Sequence, residues 1–455
     1  MTNRAGHVRQ AQVRPRCERR WRRVQIDETY LGLYDGPHAT PPPSEDGPVF
    51  LGIGNLTDDG HLDLREVRHI AEKDFARWTK RVTPSPGDIV FTYEATLNRY
   101  AIIPDGFRGC LGRRLALIRP NPEAVDTRFL HYSFFGEDWR QTIGKNTLSG
   151  ATVDRIPLTT FPTFELSLPP LNEQRRIASI LSAYDDLIEN NTRRIAILEE
   201  MARALYREWF VYFRFPGHEK VRMVESPLGR IPMEWGVASL DTIKAKEPYA
   251  INGGPFGSKL GTKDYVPGGV PVIRGTNLSE SGRFRANNFA FVSQEKAVEL
   301  RANLARAGDI VVTQRGTLGQ IAMIPSGIGF DSFVISQSQM KITVDARKVN
   351  REYVFFFLRS AETSQRIRNL ASSSGVPHIN LAVLREFQVL LPPHELQVEF
   401  GDFANSTETA IETLTREIDN LRTTRDLLLP KLISGEIDVS RLPYEPAAEL
   451  HGEAS

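Results

Sequence analysis

The feature that most constrains this chain is that it repeats itself once, at a shift of about 220 residues. Phe50-Leu51 and Asn55-Leu56 fall on Val272-Ile273 and Asn277-Leu278, and Pro86-Gly87-Asp88-Ile89-Val90 falls on Ala307-Gly308-Asp309-Ile310-Val311. Thr92, Thr96-Leu97 and Ile103-Pro104 match Thr313, Thr317-Leu318 and Ile324-Pro325. Ser149-Gly150 matches Ser374-Gly375, and residues 165–170 match 388–393. So long a period is not a stack of solenoid repeats; it is one domain-plus-helix unit present twice. A chain of 455 residues also exceeds the roughly 250–300 residues that one core holds, so two or more domains are expected.

Each unit opens with about 150 residues of short β-branched and aromatic runs punctuated by Gly, Pro and Asn. Gly87-Asp88-Ile89-Val90-Phe91-Thr92-Tyr93 and Gly308-Asp309-Ile310-Val311-Val312-Thr313 read as strands entered from a Gly-Asp turn. Helical patches such as 353–360 are interspersed, so the class is mixed α+β. A long helix then follows in each unit. Asn172 reads as its N-cap in the first. Ile177, Leu181, Tyr184, Ile188, Asn191, Ile195, Leu198, Ala202 and Leu205 recur at alternating steps of four and three. Phe400, Ala404, Thr407, Ile411, Leu414, Ile418, Leu421, Arg425, Leu428 and Leu432 keep the same rhythm. Such a 3.5-residue period is a coiled-coil seam, and one helix per half predicts that the two pair with each other. About 35 residues make a rod of roughly 50 Å. Asn191 in the seam reads as a register device, whereas Arg425 reads as a frayed or partner-covered position.

Net charge is +1, and its distribution says more than its sum. Arg4, Arg9, Arg14, Arg16, Arg19, Arg20, Arg22 and Arg23 crowd the N-terminus, which reads either as a basic arm for phosphates or as a solvated tail. Cys17 and Cys110 have neither metal-ligand spacing nor partners for a disulfide framework, which fits a reducing cytoplasm. No stretch approaches the ~18 apolar residues of a membrane span, and no secretory leader is evident.

Catalytic signatures are missing where they would be expected. The Pro-Pro pairs are followed by Leu171 or His394 rather than the aromatic residue of an amino-methyltransferase loop. Gly52-Ile53-Gly54 lacks the third glycine of a dinucleotide fingerprint, and 253–259 lacks the phosphate-loop spacing.

Several motifs together resemble one family. Leu168-Pro169-Pro170-Leu171-Asn172-Glu173-Gln174 resembles the junction that opens the long helix of type I restriction–modification specificity subunits. The stretches 209–217 and 227–235 are similar to the linker between their halves, and Lys431-Leu432-Ile433-Ser434-Gly435-Glu436-Ile437 to their C-terminal helix ending. Gly308-Asp309-Ile310 with Gly316-Thr317-Leu318-Gly319 matches a stretch of their recognition domains. The second junction departs, as Pro393-His394-Glu395-Leu396-Gln397, and Glu94-Ala95-Thr96-Leu97-Asn98 replaces a glycine-flanked turn.

The resemblance implies two target recognition domains separated by two helices in an antiparallel coiled coil. The expected divisions are a basic arm 1–20, a first recognition domain 21–171, a helix 172–212, a linker 213–234, a second recognition domain 235–393, a helix 394–433 and a tail 434–455. It implies partners as well: double-stranded DNA, two copies of a methyltransferase subunit and a restriction motor-nuclease subunit, with no membrane. This chain would bind no cofactor; S-adenosylmethionine would belong to the methyltransferase, and ATP and Mg to the motor. Because the halves differ in sequence, the two half-sites should differ. The rivals are a divergent nuclease or methyltransferase with an unrecognised centre, and a two-domain adaptor that binds no DNA.

Base readout needs Arg or Lys for guanine and Asn or Gln for adenine. Arg274, Thr276 and Asn277 follow one apolar run and Gln314, Arg315 and Thr317 another, beside glycines that permit close approach. Lys259 and Lys263 suit phosphates. In the first half the comparable candidates are Tyr93, Asn98 and Arg99, with Lys145 and Thr147 for the backbone. Asn277 recurs as Asn55, which favours a structural role; Tyr132, Phe134, Phe135 and 355–357 read as core.

Overall fold

The computed structural model describes residues 21–149, 153–279, 282–316, 318–370 and 378–442. The basic arm, Thr317 and 371–377 lie outside them. Contacts divide the chain into a first unit within Met1–Thr192 plus Arg416–Ser455 and a second within Arg193–Thr415.

In the first unit, Ile89–Thr92 pairs antiparallel with both Leu115–Pro120 and Tyr100–Ile102, and Tyr30–Asp35 extends this sheet beyond Leu115–Pro120. A second sheet centres on Ser44–Leu51, antiparallel to Arg68–His69 and parallel to Gly109–Leu111. Arg22–Gln25 pairs with Glu165–Leu168 and closes the domain onto its helix. Strand alternation explains the layering. Ile89 and Phe91 point into a core with Phe129, Trp139 and Ile177, while Val90 points the other way to Leu51 and Leu56. The larger sheet is therefore buried on both faces, between helices and the second sheet.

The second unit repeats the plan. Ile310–Thr313 lies between Gln339–Ile342 and Ile321–Met323, Val270–Ile273 is parallel to Phe333–Ile335, and Gly236–Ser239 pairs with Gln388–Leu391. Ile310 and Val312 face one core, Val311 the other. Residues 213–234 include the hairpin Met223–Ser226 with Gly229–Pro232, and Phe215 and Ile231 are buried in this unit's core. The Gly-Asp turns have Gly87 and Gly308 at φ 84° and 86°. Their aspartates are buried struts: Asp88 accepts two 2.8 Å bonds from Arg119, and Asp309 accepts one of 2.6 Å from Thr343.

The long helices are Leu171–Tyr206 and His394–Ile433. The first begins one residue ahead of the expected cap: the Pro170 carbonyl already accepts from the Glu173 and Gln174 amides, so Asn172 lies inside the first turn. Gln174 spans Asp126 N (2.9 Å) and Pro169 O (2.9 Å), and Gln397 spans Asn350 N (3.0 Å) and Pro392 O (2.7 Å). The glutamine, four residues after the second proline in both junctions, is thus the shared strut, and the displaced acid is incidental.

The helices pair antiparallel within each unit. In the first, Asn191 Nδ2 donates to Glu417 (3.1 Å) and Asp185 accepts from Arg425 (2.6 Å). In the second, Tyr206 meets Phe400. Ile177, Leu181, Ile188, Ile195, Ile411, Leu414 and Ile418 are buried; Tyr184, Leu198, Leu205, Leu421 and Leu428 are half-buried. Arg425 corrects the sequence expectation. It is neither frayed nor waiting for a partner, because it is buried and ion-paired to Asp185 and Asp426.

Candidate nucleic-acid interface

Each unit carries a concave surface at the same place in its topology, where a strand of the parallel pair, Ser44–Leu51 or Val270–Ile273, runs into a short 3-10 turn. The turns are Ile53–Asn55 and Gly275–Asn277. Asn277 is 1% exposed, so it is withdrawn as a DNA contact. Its Oδ1 accepts from Arg274 N (3.0 Å), and its Nδ2 donates to the carbonyls of Arg285 (3.1 Å) and Asn287 (2.9 Å). Asn55 does the same with Gly52 N, Asp63 O and Glu66 O. One asparagine in each unit therefore ties the turn to the next loop and shapes the cleft wall, with its amide N–H donors committed to backbone carbonyls.

The cleft of the second unit, about 780 Å³, is lined by Arg274, Thr276, Arg285, Thr313, Arg315, Gln320 and Gln339, among others. Its lining includes three arginines and no carboxylate. Arg285 and Arg315 are exposed and have no ion pair among the described residues. Arg274 donates through Nη2 to Asn288 O (2.7 Å). Gln339 is fully buried, accepts from Ser336 Oγ, and keeps Nε2 without a partner. The exposed guanidinium groups of Arg285 and Arg315 are the donors suited to base-edge or phosphate acceptors. Gln314 does not line the cleft; it braces the rim, donating to Gln337 O (2.5 Å). Lys259 and Lys263 are exposed on turns outside the lining.

The cleft of the first unit, about 850 Å³, is lined by Gly52, Ile53, Gly54, Asn55, Asp63, Arg65, Glu66, Arg68, Arg113 and Arg114, with Thr40 and Phe50. Its lining carries four arginines against two carboxylates. Arg65 is bidentate to Asp63 (2.9 and 2.6 Å), which holds that carboxyl at about 2. Arg114 is bonded to Glu94 (3.1 Å). Arg68 and Arg113 are exposed and have no such partner among the described residues.

None of the residues expected in this half lines its cleft. Tyr93 is buried at 6% exposure and is withdrawn: Ile89, Phe91 and Tyr93 share one strand face, and that face is the helix-side core. Burial also pushes the Tyr93 hydroxyl pKa up. Arg99 is tied to Asp58 (2.7 Å), and Asn98, at φ 62°, accepts from Tyr100 Oη (3.3 Å). The Thr147 hydroxyl donates to Ile143 O (2.7 Å); Lys145 is exposed nearby. The arginines that do converge were findable. Carrying the repeat alignment through 63–68 onto 285–290 puts the loop that holds Arg65 and Arg68 on the loop that holds Arg285. Tyr132, Phe134, Phe355 and Phe357 are core, as expected.

Among the described residues no group of His, Cys, Asp and Glu is placed to hold a metal ion, and no helix is long and apolar enough to cross a membrane. Cys110 is buried, which pushes its thiol up to about 12.

The description of the type I restriction modification DNA specificity domain matches this chain twice, over residues 49–200 and 243–422. The chain belongs to this family. Specificity subunits are the non-catalytic members of their complexes, in line with the absence of catalytic motifs in this sequence. It is 22% identical over 379 residues to the MjaVIII type I restriction enzyme specificity subunit of Methanocaldococcus jannaschii, covering 82% of this chain and 85% of that one. It is 23% identical to the HindI specificity subunit of Haemophilus influenzae, covering 86% of this chain and 94% of that one. The solved S subunit of M. genitalium shares the fold, with a TM-score of 0.54 at 16% identity over 90% of this chain and 96% of that chain. Two recognition domains with long helices are thus the family's α+β architecture.

Proposed function

We propose that the two units are target recognition domains, centred on residues 21–171 and 235–393, and that each reads one half of an asymmetric bipartite site in double-stranded DNA through its arginine-lined cleft. The observation that carries this is the pair of topologically equivalent clefts with unlike linings: Arg65, Arg68, Arg113 and Arg114 in one, Arg274, Arg285 and Arg315 in the other. Arginines serve both phosphate and guanine, so a shared frame with different side chains suits two different half-sites. Lys259, Lys263 and Lys145 lie outside the clefts and suit the flanking backbone, with Gln314 at the rim of the second. The paired helices set the separation of the half-sites and dock two methyltransferase subunits for adenine-N6 methylation. A motor-nuclease subunit adds restriction, and the complex works in the cytoplasm. Readers about one helical turn apart, ~34–36 Å, meet the same face of B-DNA.

The test is a methylation map of DNA from cells expressing this chain with its methyltransferase subunit. N6-methyladenine at an interrupted motif, present only with this chain, is the expected result. An active methyltransferase whose pattern does not depend on this chain would leave the adaptor as the better account.

A further inference from the structure

Beside each cleft stands a short glycine-proline post with a ring at its tip: Gly36-Pro37-His38 in the first unit, Gly254-Pro255-Phe256 in the second. The glycines are required by contact. A Cβ on Gly254 would lie 1.9 Å from the Ser336 carbonyl oxygen, and one on Gly36 would lie 2.2 Å from that of Gly112. Both posts adjoin the cleft lining: Gly254 presses on the strand end just before Ser338 and Gln339, and Gly36 on the residue just before Arg113 and Arg114. The second post is clamped further. Gly254 N donates to Gln339 O (2.8 Å), and Gln337 Nε2 donates to the carbonyls of Gly257 (2.6 Å) and Leu260 (3.1 Å).

On this rigid mount Phe256 is 80% exposed, more than any other large hydrophobic side chain among the described residues. A phenyl ring held out in water forgoes its burial, so the mount implies a surface that will receive it. Next to a cationic cleft, with exposed Lys259 three residues on, that surface is the face of a base pair. We propose that Phe256 is a wedge that stacks on, and partly separates, one base step at the edge of the second half-site, contributing to specificity through the deformability of that step. The first post differs at its tip. His38 is polar and is engaged by Asp35 at 3.1 Å, so the first half-site receives no apolar wedge and the DNA is deformed at one end only. The inference rests on the DNA-reading role of the clefts.

The experiment uses the full chain with its methyltransferase subunit and duplexes carrying the mapped site. 2-Aminopurine is placed in turn at steps flanking each half-site, away from the methylated adenine. The expected result is a fluorescence rise at one step beside the second half-site and none beside the first. Phe256→Ala should abolish the rise and weaken binding about tenfold, with Phe256→Trp retaining both. At 80% exposure the alanine variant should melt with the wild type. An unchanged rise in Phe256→Ala overturns the proposal. So does loss of methyltransferase association with DNA binding intact, which would make the ring a protein-docking knob. If wild-type complex binds no DNA site at all, the failure lies with the reading of the clefts.

Discussion

The loop that continues each cleft wall is fastened to the helical side of its own unit, and the two fastenings carry opposite charge. In the second unit, Ser279 Oγ accepts from Arg283 N (2.7 Å) and donates to Arg283 O (2.9 Å), making a tight turn. Gly282, at φ 81°, sits on the Arg359 guanidinium. Arg283 then reaches Glu199 on the first long helix (2.5 Å). Burial holds Glu408, beside it on the second long helix, above the usual carboxylate range, although Arg283 and Arg359 pull it down. In the first unit, Thr57 Oγ1 accepts from His61 N (2.9 Å), and Gly60, at φ 95°, sits on His131. Here the turn carries Asp59 instead. Burial opposes its charge, but the Thr57 hydrogen bond, His61 and Arg425 outweigh that and leave its pKa lowered. Arg425 in turn holds Asp185, which accepts from Tyr132. In each unit a charge on this turn lies in the field of an opposite charge on a long helix, with the sign exchanged between the two. The clefts can therefore diverge in sequence while their mounting persists, which is what a family of readers for different sites requires.

The largest expected effect comes from breaking the first fastening. Arg425→Leu leaves the part-buried Asp185 without its arginine, held only by Tyr132, and should destabilise the first unit by about 3 kcal/mol. Hydrogen exchange should report it as lost protection in Thr127–Ser133 while Arg351–Arg359 stays protected. Arg283→Leu breaks a more exposed pair, at 33% and 21% side-chain exposure, and should cost the second unit only about 1 kcal/mol. Equal effects would mean that the two fastenings are not distinguished by burial.

A pH difference follows next. His131 is held at about 4 by burial, only partly offset by its contact with the Tyr100 carbonyl, whereas the aligned residue of the second unit is Phe355. The unfolded chain takes up this proton from about pH 6.5 downward and the folded chain only near 4. Stability is therefore full above 6.5 and falls through that window by roughly 3 kcal/mol. The loss should appear in the first unit, and His131→Phe should remove this part of it. An unaltered acid profile in that variant would show that other groups govern the first unit's acid response.

Smaller changes concern the clefts themselves. Arg315→Ala and Arg113→Ala should each weaken DNA binding by about 1–3 kcal/mol, and each should relax only its own half-site in the methylation map. Relaxation of both halves by either change would break the division of labour.

The repeat, the mixed sheets and the helix pair were legible because period-2 and period-3.5 hydrophobic patterns report burial directly, as Ile89-Val90-Phe91 and Ile411-Leu414-Ile418 do. The first cleft was legible only through the repeat, by carrying its alignment through 63–68 onto 285–290. Arg65 and Arg68 lie on one segment, which enters the strand Arg68–His69, and Arg113 on another; only the pairing of Ser44–Leu51 with its neighbours brings them to one face. Tyr93 was misplaced by its nearness to a turn, although alternation from Ile89 points it inward. Arg425 was opaque for another reason: its partner Asp185 lies 240 residues away, and a lone arginine in a seam carries no sign of it. The junction glutamines were in plain view, hidden by attention to the neighbouring acid.

The central claim is that each unit reads its own half-site. The most direct test replaces residues 21–171 with the equivalent domain of a specificity subunit of known target and maps N6-methyladenine in cells carrying the hybrid with its methyltransferase. The account predicts a new motif in which one half and the spacer length are inherited from this chain and the other half is the donor's. A motif that changes in both halves, or one that does not change at all, would contradict it.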